Sequence, residues 1–312
     1  MRKYLLVLVA IICLVIVNNH FYYYAFNLFG PSSDETIRIM TYNTNGVSGD
    51  YNDSTFVEDF LLAIDSINPQ ILALQEMRYE YSPMLCEGLK LRFPYNSLIE
   101  LKESTSKNKD AACLFSKFPI KSFFYTVYNR QELDSVYGVY DIPPKNRRYV
   151  EPAIYNSVID VNGQETLVIS CYLMTNDYSS LRNKHSDSWF DGLNEYLNGY
   201  YSSSVVRSLN AKMIRDSISR YDLPTIVFGD MNDFQYSRSM LTIMGEDLKN
   251  AWWERGFGSG MTYNRYHLKI RIDHILISKE FCAMSVFVPH LRFSDHYPVV
   301  ADLKYIERVG NE

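Results

Sequence analysis

Apolar and polar positions alternate along residues 37–42, as they do in a strand with one buried face, and the period then changes. Behind Ser54 and Thr55, the residues Phe56, Phe60, Leu61, Ile64 and Ile67 recur at helical spacing, which predicts an amphipathic helix. Residues 71–74 form a continuous apolar run that reads as a buried strand ending at Gln75-Glu76. Further strands are expected over 112–115, 123–128, 155–161 and 167–173. A helix is predicted over about 204–220, followed by a strand over 224–228 that runs into Gly229-Asp230. Residues 272–277 and 298–303 close the chain as strands. Many strands with few helices between them predict two sheets with helices outside. The stretch 177–203 is rich in Ser, Asn, Tyr and charge, and reads as a solvated loop. Its place directly after a strand end also suits an insertion that shapes a substrate site.

The first residues follow a different pattern. Arg2 and Lys3 precede an uninterrupted apolar run over 4–17, the layout of a secretory signal or a signal anchor. At about 1.5 Å per residue the run covers roughly 21 Å, short of a hydrocarbon core of roughly 30 Å. The Phe21-Tyr22-Tyr23-Tyr24 cluster beyond it suits a membrane interface and could complete the span. No small-x-small cleavage site directly follows Val17, so an uncleaved anchor is expected, with a cleaved signal as the alternative. The basic end predicts that the following domain is exported, outside the membrane or, if cleavage occurs, secreted. Residues 1–33 are accordingly read as anchor and linker, and 34–312 as one functional domain.

Composition narrows the picture. With 312 residues, 47% of them hydrophobic, the chain can bury a full core. Its 31 basic residues face 36 acidic ones, and Arg2 and Lys3 belong to the leader, which excludes a strongly basic nucleic-acid binder. An anionic substrate therefore needs a local device, such as a metal ion, to offset repulsion. None of the cysteines at 13, 86, 113, 171 and 282 forms a close pair, so no zinc or redox motif follows.

What stands out is a set of acidic, amide and imidazole groups that terminate apolar strands. Asn43 and Asn45 follow Ile39-Met40-Thr41-Tyr42, and Glu76 follows Ile71-Leu72-Ala73-Leu74-Gln75. Asp230 and Asn232 follow Ile226-Val227-Phe228-Gly229, Asp273 lies in Arg271-Ile272-Asp273-His274, and Asp295 with His296 in Ser294-Asp295-His296-Tyr297-Pro298. Any one of these is a good turn or cap sequence. Together they supply the oxygen ligands that Mg²⁺ or Mn²⁺ takes, with phosphate and water completing the coordination, whereas no zinc cage is available. A histidine beside a carboxylate supplies the charge stabilisation that phosphoryl chemistry needs.

This ordered set resembles the endonuclease/exonuclease/phosphatase superfamily, the DNase I-like proteins, over about 37–303. Ala112-Cys113-Leu114-Phe115-Ser116-Lys117-Phe118-Pro119-Ile120 is similar to a strand and turn common there, and Gly258-Ser259-Gly260-Met261-Thr262-Tyr263 is similar to membrane-anchored bacterial members. The resemblance implies an α/β (α+β) fold, a four-layer sandwich of two packed, mainly antiparallel sheets flanked by helices, with a site at one rim. It also implies roles. Glu76 would bind the divalent ion, helped by Asn43 and Asp295. Asp230 would orient and deprotonate the attacking water while Asn232 holds the water or the phosphate. His296, polarised by Asp273, would contact the scissile phosphate, and Asn45 would sit near the metal and leaving group. One departure is Ile169-Ser170-Cys171-Tyr172-Leu173, where many members end the strand in Asn-x-His-Leu. Tyr172 takes the histidine's place, either hydrogen-bonding phosphate or packing the rim, and Asn176 lies close to the offset of an amide in some relatives. Arg148, beside Arg147, is a candidate phosphate contact.

His274, adjacent to Asp273 on a strand, is expected to point to the opposite sheet face and pack there. Trp252-Trp253 reads as core or rim packing, or as a surface on which a base stacks. The leading expectation is a membrane-tethered, Mg²⁺-dependent phosphoesterase that cleaves phosphodiester bonds in DNA or RNA. The alternatives are a sphingomyelinase-like phospholipid phosphodiesterase and a non-catalytic binding protein with a degenerate site.

Overall fold

The structure is a computed structural model that describes residues 36–45, 53–77, 83–97, 111–126, 130–144, 153–176, 189–265 and 268–306. In chain order the elements are β1 (Thr36–Asn43), α1 (Ser54–Ile67), β2 (Ile71–Met77), α2 (Pro83–Arg92), β3 (Tyr95–Asn96), β4 (Ala111–Ser116) and β5 (Ile120–Thr126). Next come α3 (Arg130–Val139), β6 (Ala153–Val161), β7 (Gln164–Tyr172), α4 (Trp189–Tyr221), β8 (Thr225–Asp230) and α5 (Arg238–Met244). The chain continues with β9 (Leu248–Asn250), α6 (Ala251–Arg255), β10 (Tyr263–Arg265), β11 (Leu268–Ile270), β12 (Asp273–Ser278), β13 (Phe281–Phe287) and β14 (Val299–Tyr305). Two six-stranded sheets form, ordered β13-β14-β1-β2-β4-β3 and β5-β6-β7-β8-β12-β9, with β10 and β11 paired separately.

Alternation along each strand sorts its side chains into layers. Ile37, Ile39, Ala73, Val168, Ile226, Phe228, Ile275, Ile277 and Val299 fill the space between the sheets. The intervening residues Met40, Tyr42, Leu72 and Leu74 face outward onto Phe60, Ile64, Leu85 and Leu89 of α1 and α2. On the far side Leu167, Ile169, Cys171 and Val227 meet Val206, Leu209, Met213 and Ile214 of α4. Each fully buried aliphatic side chain contributes roughly 1.5–3 kcal/mol. The result is helix, sheet, sheet, helix, the expected sandwich. At the start of α1 the cap is Asp53, whose carboxylate accepts from the Thr55 amide at 2.8 Å.

Two strand pairs are parallel, β1 with β2 and β7 with β8, and a parallel pair requires a crossover, here supplied by α1 and α4. The other pairs within the two sheets are antiparallel. The carboxyl ends of β1 and β2, and those of β7 and β8, therefore finish together. Their antiparallel neighbours β14 and β12 begin beside them. Every strand-end group singled out in the sequence lies on one of these termini or within a few residues of it.

The structure alters two expectations, the first being that of β1, which is buried on both faces rather than one. The stretch read as loop over 177–203 is helical from Trp189 onward, so α4 starts well before 204; residues 177–188 lie outside the described residues. Serines are weak helix formers, but Ser202 and Ser203 are buried and Ser203 Oγ donates to the Thr175 carbonyl at 3.1 Å. Docking onto the strand-end segment holds the serine-rich turns helical. Among the described residues, Cys86, Cys113, Cys171 and Cys282 form no disulfide. The apolar run at 4–17 also lies outside the described residues, among which no helix is long and apolar enough to cross a membrane.

Gly229 has a φ of 147°, and a Cβ there would lie 1.9 Å from the Cys171 carbonyl oxygen on the neighbouring strand. Gly229→Ala should thus destabilise the protein by about 3 kcal/mol or more, read from urea unfolding. An alanine variant as stable as wild type would refute this account of the β7–β8 junction.

Candidate active site

Register brings the site residues together. Asn43 pairs with Gln75 across β1 and β2, Tyr172 pairs with Asp230 across β7 and β8, and Asp230 pairs with Asp273 across β8 and β12. Asp230 shares its strand face with Ile226 and Phe228, and Asp273 shares its face with Ile275 and Ile277. Both carboxylates therefore point into the space between the sheets, where they are buried.

Glu76 follows a different rule. Simple alternation would place it with Leu72 and Leu74 on the helix-covered face. Instead the β2–β4 register shifts between Leu74 and Met77, and Glu76 takes a φ of 56°. The bulge turns the carboxylate toward Asn43, whose Nδ2 donates to Glu76 Oε1 at 2.9 Å. The same Nδ2 donates to Asp230 Oδ2 at 2.9 Å, so one amide joins a carboxylate from each sheet. Asn45 and Asn232 also have positive φ, 48° and 49°. A non-glycine residue held this way costs on the order of 1–3 kcal/mol, and three at one rim mark a place where the fold over-determines geometry. Asn45 N donates to Asn43 Oδ1 at 2.8 Å, which fixes the orientation of that amide.

Asp230 accepts from the Asn232 amide N at 2.8 Å and from Asn232 Nδ2 at 3.2 Å. His296 Nδ1 donates to Asp273 Oδ2 at 2.9 Å, and its Nε2 lies 3.9 Å from Asp230 Oδ2, too far for a direct hydrogen bond. His296 sits on the stretch leading into β14, bridged to Tyr263, whose ring meets the imidazole edge-on at 4.9 Å. Thr262 ties this stretch to β12. Its Oγ1 accepts from the Ile272 and Asp273 amides at 3.2 and 3.1 Å, and its carbonyl accepts from Tyr297 N.

Charge follows from these distances. Burial and the neighbouring Asp273 push the Asp230 carboxyl up to about 8, against the pull of His296 and the Asn43 and Asn232 donors. Burial alone would lower the imidazole of His296, but Asp273, Asp230 and Asp295 together raise it to about 10. The arrangement is a charged imidazolium between carboxylates, one of which is poised to take a proton near neutrality. Asp230, Asp273 and His296 each offer an atom within 4.8 Å of the others, close enough for an ion. A protonated imidazole is no metal ligand, however, so this trio is better suited to holding charge and moving a proton. Glu76 is the half-exposed carboxylate of the rim, only its Oε1 accepts from Asn43, and Asp273 Oδ1 is buried without a hydrogen-bond partner. Such an oxygen-rich rim, with carboxylate oxygens to spare, fits a hard divalent cation.

The remaining sequence candidates fall in different places. Tyr172 is half-buried beside Asp230 at the strand end. Asp295 is half-buried next to His296. Asn176 is buried, donates from Nδ2 to the Asn232 carbonyl at 3.0 Å and accepts from Arg207 at 2.9 Å. Arg148 lies outside the described residues. His274 packs on the opposite face as expected, with Nε2 donating to the Asp233 carbonyl and Nδ1 accepting from Asn250. The two tryptophans divide: Trp252 is buried between the sheets, whereas Trp253 is 44% exposed. Sequence reasoning missed Arg207, Asp233 and Thr262. The Gly229-Asp230 to Asn232 segment was legible as a turn, but nothing local marks an arginine in mid-helix as the partner of Asp233.

Residues 40–296 match the endonuclease/exonuclease/phosphatase family. Among solved structures, the chain is similar to the endonuclease/exonuclease/phosphatase from Bacteroides vulgatus at 15% identity and a TM-score of 0.59, over 87% of this chain and 99% of that one. It is similar to sphingomyelinase C from Streptomyces griseocarneus at 14% identity and a TM-score of 0.57, over 86% of this chain and 99% of that one. It is also similar to D. rerio TDP2 complexed with a single-strand DNA product, at 13% identity and a TM-score of 0.59, over 87% and 100%. At such identities these likenesses establish the fold. Among curated proteins none matches the chain.

Burial lowers the His274 imidazole to about 4 from 6.5. Between those values the unfolded chain binds a proton that the folded protein refuses. Stability is then full above about pH 6.5 and falls as pH drops toward 4, by on the order of 3 kcal/mol. Urea unfolding of wild type and His274→Gln across this range should show the shallower acid slope in the variant. Equal slopes would count against a neutral, buried His274.

Proposed function

The chain belongs to the endonuclease/exonuclease/phosphatase family, and from that premise we propose that it is a divalent-metal-dependent phosphodiesterase acting on nucleic acid. The observation that carries this reading is the single Asn43 amide joined to Glu76 and Asp230, with His296 facing Asp230 across 3.9 Å. Glu76, together with Asn43 and Asp295, would hold Mg²⁺ or Mn²⁺. Once bound, the ion would neutralise phosphate oxygens and stabilise the departing oxygen.

The protein's own groups supply the rest. Asp230, its affinity for a proton raised by burial and Asp273, accepts the proton of the attacking water. Asn232 and Asn43 orient that carboxylate through three hydrogen bonds. His296 presents Nε2–H toward the gap, where it donates to a phosphate oxygen as negative charge builds, while Asp273 keeps it protonated and oriented. Tyr172 and Asn45 flank the gap and suit contacts to the phosphate and the leaving group.

The nucleic-acid version draws support from the loop that leaves the site. Tyr236 and Trp253, 67% and 44% exposed, stack at 5.5 Å with ring planes 20° apart, and Trp253 Nε1 is held by Gln235 at 3.0 Å. Exposed, pre-ordered aromatic faces beside a phosphate site suit base stacking. We carry the apolar run at 4–17 as a membrane tether for an exported domain, on the sequence pattern alone.

The test uses purified full-length chain with plasmid DNA, RNA, sphingomyelin and a generic phosphodiester, each in Mg²⁺, Mn²⁺ or EDTA. Nucleic-acid cleavage that EDTA abolishes is the expected result. Turnover confined to choline lipids would replace the substrate class, and inertness toward all of them would leave only a binding protein. Glu76→Ala and Asp230→Asn should each lower the rate by about 10²–10⁴. An active Asp230→Asn enzyme would remove the assigned base.

A further inference from the structure

Arg207 sits in mid-α4 with no exposed surface, although a guanidinium is among the groups most expensive to bury. Its Nε donates to Asp233 Oδ2 at 2.9 Å, and its Nη1 donates to both the Met174 carbonyl and Asn176 Oδ1 at 2.9 Å. The Tyr200 ring covers it at 5.3 Å. The acceptors belong to the two segments that follow β7 and β8, the parallel strands that α4 itself connects. From there the bonds run into the site. Asn176 Nδ2 donates to the Asn232 carbonyl at 3.0 Å, and Asn232 Nδ2 donates to the Leu173 carbonyl at 3.1 Å and to Asp230 Oδ2 at 3.2 Å. Asp233, next in the chain, accepts from Ser239 Oγ, Tyr200 Oη and Phe234 N, and its carbonyl accepts from His274.

Asn232 needs such a hold because its backbone has a φ of 49°, a conformation that asparagine tolerates but does not favour. We propose that Arg207 is a positioning residue that locks Asn232, and through it the Asp230 carboxylate, by bracing Asp233 on one side and Asn176 on the other. The inference rests on the catalytic roles assigned above to Asp230 and Asn232. Arginine is required because three acceptors on two chain segments converge on a planar fork, which the single ammonium of lysine cannot match.

Two variants test it in the full-length protein. Arg207→Lys retains the buried charge but loses the fork. Asn176→Leu leaves the Arg207–Asp233 ion pair whole and removes the Asn176 bonds to Arg207 and to the Asn232 carbonyl. Each should lower kcat by about 10-fold to 100-fold with KM within about twofold, the effect of a small misplacement of a reacting group. In an Asn232→Ala background the same changes should cost less than about twofold, because the residue through which they act is gone. The side-chain amide resonance of Asn232 supplies a readout that needs no substrate. It should shift or broaden in both variants while that of Asn43 stays in place. Undiminished losses in the Asn232→Ala background, or an unmoved Asn232 resonance in folded Asn176→Leu, would overturn the proposal. A wild-type protein inert on every phosphodiester, with the Asn232 resonance still moving, would instead overturn the catalytic reading and leave the bracing intact.

Discussion

Two buried carboxylates, Asp230 and Asp273, stand directly opposite each other on adjacent antiparallel strands. In so dry a place they cannot both be ionised without positive charge beside them, and much of the rim answers that constraint. His296 takes a proton and lies between them, Asn43 and Asn232 turn amide hydrogens toward Asp230, and Thr262 fixes the strand start that carries Asp273. The proton affinity of Asp230 and the charge of His296 are two consequences of one arrangement. A divalent ion or a phosphate entering this rim would meet groups already oriented and already desolvated.

Topology explains why these groups meet. Each sheet contains one parallel pair, and a parallel pair sends two carboxyl-terminal ends to the same edge. Antiparallel neighbours then present their amino-terminal ends at that edge as well. Six chain segments distant in sequence reach one rim, where the bulge at Glu76 swings a carboxylate round toward Asn43. Positive φ at Asn45, Glu76 and Asn232 places the local strain where the chemistry is, supported by cores on both sides of each sheet.

The same scaffold is found in a sphingomyelinase and in a protein bound to a single-strand DNA product, at similar TM-scores. The shared architecture therefore does not by itself fix a substrate. Specificity belongs to the loops and helix ends around the rim. Tyr236, four residues beyond Asn232, stacks on Trp253 with both rings exposed.

The run that became β2 and the spacing of α1 were legible from hydrophobic period, whereas β1, read as a strand with one buried face, is covered on both, by the second sheet and by the helices. The strand-end groups were legible too, since Asn43, Glu76, Asp230, Asp273, Asp295 and His296 each follow or open an apolar segment. Three things were not. The serine-rich turn at 202–204 within α4 has weak helical propensity, and the bond from Ser203 to the Thr175 carbonyl helps hold it helical. The orientation of Glu76 depends on a bulge against β4, a property of pairing rather than of residues 71–77. Arg207 finds Asp233 and Asn176 only because the crossover helix lies over both strand ends. A chain encodes which faces must be buried by local period, so layers and termini can be read from it. Which distant partner satisfies a buried charge is settled only when the layers close.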